Sequence, residues 1–162
     1  MDLLVRHPTS EDYPAVTRVV DDWWGSRQIP GPLPRLWFEH FASTCRIAHT
    51  VDGELAGFLA GFVSPDRPAE AVIVMAGTSP NLRRRGVGRR LHEEFAADAR
   101  ERGAQQLIEC VFPGDPAAVA FLRAIGFSPL DVPGTQRLYG VPAFPAHEWG
   151  RDDRAVFVRD LG

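Results

Sequence analysis

The sequence predicts an α/β protein in which a mixed sheet carries helices on both faces. Three observations lead there. The stretches Arg46 to Val51 and Glu54 to Val63 flank Asp52-Gly53, a two-residue hairpin signal that makes them antiparallel neighbours. Ala71 to Thr78 is almost wholly apolar, so it belongs at the centre of the sheet, covered on both faces. A helical pattern from Val87 to Arg102 follows it, and then a second buried run, Gln106 to Phe112, which completes a strand-helix-strand unit.

The other elements follow in order. Leu3 to Arg6 reads as a short strand ended by His7-Pro8. Thr9 or Ser10 can cap a helix with Glu11 and Asp12 in its first turn. Tyr13, Val16, Val19, Val20 and Trp23 recur at helical spacing, with Trp24 beside the stripe. Gly25 and Ile29-Pro30-Gly31-Pro32 break that helix. A second helix is expected from Pro34 to Thr44, rich in aromatic residues.

In the helix after the central strand, Val87, Leu91, Phe95 and Ala99 form an i, i+4 apolar stripe, and Gly103 closes it. Asp115-Pro116 starts a further helix as N-cap and first helical residue, with Ala118, Phe121, Leu122 and Ile125 apolar and Gly126 at the end. Pro129, Pro133, Pro142 and Pro145 argue for an irregular or edge strand around Gln136 to Val141. A last strand covers Ala155 to Arg159.

Composition narrows the function classes. A length of 162 residues suggests a single domain, 1–162. Net charge is −3, which speaks against a generally basic nucleic-acid binder. The chain has no lysine; its 18 basic residues are all arginine, and five of them fall between Arg83 and Arg90. Such a local cluster suits one anionic ligand. Cys45 and Cys110 have neither disulfide-framework nor metal spacing, so no metal is expected. No stretch approaches the ~20 apolar residues of a membrane helix, and the start lacks the flanks of a signal peptide. A cytoplasmic protein without a membrane partner is expected.

The chemistry centres on Arg83-Arg84-Arg85-Gly86-Val87-Gly88, which joins the central strand to a helix N-terminus. Unpartnered N–H groups and the helix dipole favour an anion there. Gly86 and Gly88 lack Cβ atoms, which lets a phosphate approach the main chain. The simplest ligand is a pyrophosphate. The spacing lacks the third glycine of a dinucleotide fingerprint and the Gly-Lys-Ser/Thr of an ATP loop.

This R-x-x-G-x-G segment, with Thr78-Ser79-Pro80 before it, resembles the acyl-CoA loop of the GNAT superfamily of N-acyltransferases. Asp115, Ala118, Phe121-Leu122 and Gly126-Phe127 resemble a second pattern of that family. The resemblance implies a mostly antiparallel twisted sheet of about six to seven strands, splayed between its two central parallel strands. It implies acetyl-CoA or another acyl-CoA as donor. Pantetheine would lie near Ala76, Gly77 and Thr78. The pyrophosphate would sit on the backbone from Arg84 to Arg89; Asp115, at the position of a family asparagine that contacts pantetheine, and Phe121 would also meet the cofactor. The expected activity is transfer of an acyl group, most simply acetyl, to a small-molecule amine in a ternary complex. Transfer to a hydroxyl, transfer from a carrier-tethered acyl group, and a non-catalytic acyl-CoA-binding module are the alternatives.

Some of Trp23, Trp24, Trp37 and Phe38 would wall the acceptor pocket, and the rest would be core. Leu122 occupies the position where the family often has a tyrosine that protonates the leaving thiolate. Candidate proton-transfer groups are therefore Glu109, which interrupts an apolar run, and His40, beside the aromatic segment. Glu109 could instead face a sheet edge or pair with an arginine. His92 is expected on the exposed flank of its helix, and the late strands could pair across a homodimer.

Overall fold

The computed structural model describes residues 1–25 and 33–162. The break expected at Ile29-Pro30-Gly31-Pro32 lies outside the described residues. Strand β1 (Leu3–Arg6) leads through a 3-10 turn, capped by Thr9, into α1 (Tyr13–Trp24). Then come α2 (Leu36–His40), β2 (Arg46–Thr50), β3 (Leu55–Val63), β4 (Glu70–Thr78), α3 (Val87–Glu101), β5 (Gln106–Val111) and α4 (Pro116–Ala124). The chain ends with β6 (Ser128–Pro129), β7 (Gln136–Leu138), β8 (Val141–Glu148) and β9 (Asp152–Asp160). The strands lie in the order β1-β2-β3-β4-β5-β9-β8-β7, with β6 also on β9. Among the described residues only β4 and β5 run parallel; the other paired strands are antiparallel.

Strand alternation splits the apolar residues between two faces. One cluster packs α3 and α4 on the sheet through Leu91, Phe95, Leu107, Leu122 and Phe157. The other packs α1 and α2 through Val16, Trp23, Phe38, Phe58 and Met75. The α3 stripe is as its spacing requires: Val87, Leu91, Phe95 and Ala99 are each at most 1% exposed. Arg46 on β2 holds Asp98 on α3 through a fork of 2.6 and 2.9 Å, which fixes the helix along the sheet.

The closeness of α3 to the sheet depends on glycine. A Cβ at Gly61 would stand 2.7 Å from the Phe95 ring and 2.7 Å from the Val72 carbonyl. Gly61→Ala is therefore expected to cost about 1–3 kcal/mol by overpacking. A thermal melt reads this as a lower Tm, and an unchanged Tm would mean that the helix can ride outward freely.

Three expectations need correction. The helix foreseen from Pro34 to Thr44 is a short α2 and a 3-10 turn, Ala42–Thr44, because Phe41 leaves the helical region with φ −123°. The single strand foreseen around Gln136 to Val141 is a hairpin, β7 and β8, turning at Tyr139 and Gly140 with φ of 53° and 78°. A tyrosine is an unusual occupant of that left-handed turn position, so the turn carries no sequence signal. Pro145 is tolerated because β8 bulges between Phe144 and Glu148, where no ladder bond needs its missing N–H. With β6 added, the sheet has nine strands among the described residues, where about six to seven were expected. Among the described residues no helix is long and apolar enough to cross a membrane.

Candidate active site between the parallel strands

The cleft originates in one surplus residue. Ala60 pairs with Met75 and Gly61 with Ile73, so Val74 has no partner on β3 and β4 bulges there. The bulge explains why Ile73 and Met75, two residues apart, pack in opposite clusters. Pairing with β5 stops at the same place. Ile73 opposite Glu109 is the last parallel pair, although β4 continues to Thr78 and β5 to Val111. The strands part beyond it and leave a cleft of about 660 Å³. Leu91, His92 and Leu122 line it from the α3–α4 side, and Trp24, Met75 and Arg154 also line it. The edge of β4 from Met75 to Thr78 has no ladder partner on its β5 side.

The basic loop closes one end. A 3-10 turn, Pro80–Leu82, leaves β4, and Arg84 and Gly86 then take left-handed φ of 62° and 86°. Gly86 is the N-cap of α3, and no side chain caps the first turn. The first intrahelical bond is Arg90 N–H to Gly86 O, at 2.9 Å. The amides of Val87, Gly88 and Arg89 are thus turned out of the helix end, where its dipole is positive. The side chains of Arg84, Arg85 and Arg89 are exposed around them. The two glycines do different work. Gly86 is needed for its positive φ, and nothing lies within 4 Å of its Cβ position. Gly88 makes room for Phe121, whose ring would stand 3.0 Å from a Cβ there. Arg83 donates from Nη2 to the Trp23 carbonyl at 2.5 Å, tying the loop to the C-terminal end of α1.

The floor of the cleft holds an acid–histidine pair. His92 is 1% exposed, so the expectation of an exposed flank is corrected: the buried face of α3 is broad enough to include it. Its Nε2 lies 2.9 Å from Glu109 Oε2 and its Nδ1 lies 2.8 Å from the Gly88 carbonyl. Both ring nitrogens therefore face acceptors. The contacts are satisfied by an imidazolium donating to both, or by one proton shared with Glu109. Burial pulls the His92 imidazole down. The charge and hydrogen bond of Glu109 and the Gly88 carbonyl push it up, Arg159 opposes weakly, and the net direction is upward. Glu109 thus pairs with a histidine, neither with an arginine nor at an edge. Cys110, beside it, is pushed up to about 11, chiefly by burial, so its thiol stays protonated near neutral pH.

Residues 13–127 match the family model described as Acetyltransferase (GNAT) family. The chain belongs to the GNAT family.

Among curated relatives, the L-2,4-diaminobutyric acid acetyltransferase of Nocardia farcinica is 30% identical over 90 residues, covering 56% of this chain and 46% of that one. The chain spans about half the length of the curated relatives it matches. Among solved structures, the diaminobutyrate acetyltransferase of Paenibacillus lautus, in complex with L-2,4-diaminobutyric acid and coenzyme A, has a TM-score of 0.74 at 19% identity, over 99% of this chain and 96% of that one. The phosphinothricin acetyltransferase of Sinorhizobium meliloti, in complex with AcCoA, has a TM-score of 0.75 at 20% identity, over 100% and 90%. At such identities the structures establish a shared fold.

In this GNAT chain the cleft gathers most of the foreseen residues. Ala76, Gly77, Thr78, Arg83, Arg84, Gly86 to Arg89, Glu109, Asp115 and Phe121 all line it. Asp115 accepts from Ala118 N–H at 3.1 Å as a helix N-cap. Leu122, 1% exposed, is core at its inner end and offers no hydroxyl. Of the aromatic residues, Trp24 lines the cleft. Trp23 stacks on Phe58, with ring centroids 6.0 Å apart, and Phe38 is buried against Tyr13. Trp37 packs on Phe41 and Phe62, away from the cleft. His40 is exposed at the end of α2 and is not among the cleft residues. Sequence reading missed His92 and Arg154. The available signal for His92 was its i+4 spacing from Gly88, beneath a strand that carries a carboxylate.

Proposed function

We propose that this chain transfers an acetyl group from acetyl-CoA to the amine of a small acceptor. The observation that carries the reading is the cleft at the β4–β5 parting, which runs from an uncapped helix end ringed by arginines to a half-buried carboxylate. In this reading the amides of Val87 to Arg89 and the side chains of Arg84, Arg85 and Arg89 hold the pyrophosphate. Pantetheine bonds the free edge of β4 at Ala76 to Thr78, much as an added strand would. The thioester reaches the bulge at Val74, where a backbone N–H can polarise its oxygen.

The acceptor nitrogen attacks the thioester carbon, a C–N bond forms, and the C–S bond breaks. Glu109 takes the proton lost by nitrogen, directly or through one water. His92, bonded to Glu109 and to the Gly88 carbonyl, is a positioning residue that holds the carboxylate in place. The departing thiolate takes a proton from water, because Leu122 has none to give. Holding amine and thioester together supplies part of the rate, up to about 7–11 kcal/mol in favourable cases. The diaminobutyrate relatives support an amino-acid-like diamine as acceptor.

Leu122 favours a second reading, a non-catalytic acyl-CoA-binding module. Both readings predict stabilisation by acetyl-CoA, about 2.7 kcal/mol at a hundred times Kd. Reversing charge at Arg84 and Arg85 together should abolish that rise in Tm, and a rise that survives it would remove the loop from the donor site. Thiol release from acetyl-CoA on adding an amine panel separates the two readings. Release supports transfer; CoA binding without release on any amine supports the module.

A further inference from the structure

The cleft has a second cationic group, which the donor does not need. Arg154 on β9 is 5% exposed and lines the cleft. Its strand neighbours Ala155 and Phe157 belong to the cluster under α3 and α4, so Arg154 projects from the opposite face of the sheet. The arginine loop opens α3, which packs on the other face, so the two cationic groups serve different ends of the cleft.

The guanidinium is incompletely matched. Nη1 donates to the Asp153 carbonyl at 2.8 Å. The nearest carboxylate oxygen, Asp152 Oδ2, stands 3.9 Å from Nη2, beyond hydrogen-bond reach, and Asp152 also faces Arg151 at 3.9 Å. A buried guanidinium is stable when a carboxylate meets its fork, and here the protein leaves that fork short of a close anion. Glu109 lines the same cleft as Arg154. A cation and a carboxylate in one cleft match a ligand that carries a carboxylate and an amine.

We propose that Arg154 is a specificity-determining residue that binds the acceptor's carboxylate, so that the acceptor is a small amino acid with its amine turned to Glu109. This rests on the acyl-transfer reading above and adds the residue that recognises the acceptor's carboxylate. A planar guanidinium selects a planar carboxylate bidentately, whereas a lysine would offer only a point charge. The assignment also explains why a strand residue beside a half-open cleft keeps a buried charge.

The test uses amino acids paired with the amines left by removing their carboxylate: diaminobutyrate with 1,3-diaminopropane, ornithine with putrescine, lysine with cadaverine. In the wild-type chain the carboxylated member should have the lower KM, by roughly 10- to 100-fold, the range of one charge-assisted hydrogen-bond pair. Arg154→Gln should raise KM for the carboxylated member by a similar factor. It should erase the preference for the carboxylated member within each pair while the Tm rise with CoA persists. Arg154→Lys should fall between. The wild-type comparison needs no variant, so it stands even if Arg154→Gln folds poorly.

Equal KM values within every pair overturn the assignment while leaving acyl transfer intact. If no amine releases thiol, acyl transfer fails instead. Calorimetric titration of each pair onto the CoA-loaded chain then decides the Arg154 assignment alone. Tighter binding of the carboxylated member supports it, and equal or absent binding of both overturns it.

Discussion

Replacing Glu109 by glutamine is expected to lower kcat by roughly 10²- to 10⁴-fold, the usual worth of a positioned proton acceptor. Glutamine preserves size and one hydrogen-bonding oxygen, so the cleft should stay formed and the Tm rise with acetyl-CoA should persist. The pH profile is the sharper readout. If Glu109 takes the amine proton, raising the pH should restore part of the lost rate, because the acceptor then arrives already deprotonated. An activity within a few-fold of wild type, with an unchanged pH profile, would make Glu109 a structural partner of His92. Transfer would then proceed by positioning alone. Glu109 can carry this role because it is the last parallel partner of Ile73, at the point where the strands part. One residue earlier or later it would point to the other face of the sheet, away from His92.

His92→Leu is expected to give the largest stability loss of any single substitution at the site. It removes one member of a buried pair and leaves a carboxylate, 12% exposed, without its 2.9 Å partner. Breaking such a pair from one side costs about 3–5 kcal/mol. His92→Gln, which keeps a donor, should cost less and separates charge from hydrogen bonding. The pH dependence has a definite sign. The folded state raises the His92 pKa. Its contribution to stability is therefore fully present below the unfolded value of about 6.5 and is lost as pH rises through the folded value. The gap in Tm between wild type and His92→Gln should be widest near pH 6 and should narrow as the pH is raised past neutrality. A gap that stays constant across that range would mean that the pair does not hold its proton as an imidazolium. The charged groups facing the ring are Glu109 on β5 and Arg159 on β9. Arg159 is itself paired to Glu93 at 2.9 Å, so its own effect should be small across the range.

The stretch from Ala71 to Gly103 was legible almost to the residue. β4, the basic loop and α3 each follow from a local rule: an apolar run, glycines at a helix start, and an i, i+4 stripe. The Asp115-Pro116 start of α4 was legible for the same reason, since a cap and its helix are neighbours in sequence. The β7–β8 hairpin was not, because Tyr139 takes a φ of 53° that tyrosine does not advertise. The aromatic segment was half legible. Its residues are plainly apolar, but choosing which one reaches the cleft requires knowing that Gly77 lets Trp24 approach within 2.8 Å of where a Cβ would stand.

By itself, the sequence determined a mixed α/β sheet with an arginine-ringed helix start after its central strand, and with no tyrosine at position 122. Each of these is written in neighbouring residues and needs no knowledge of the rest of the chain. Only the tertiary structure decided where the candidate site lies. The bulge at Val74 exists because β3 and β4 differ by one residue in register, which neither strand shows alone. The His92–Glu109 pair joins two residues 17 apart in sequence, one on a helix and one on a strand. Arg154 becomes a buried cation only once β9 has been inserted between β5 and β8. Contacts of this kind depend on register and on strand order, and those are set when the whole sheet packs.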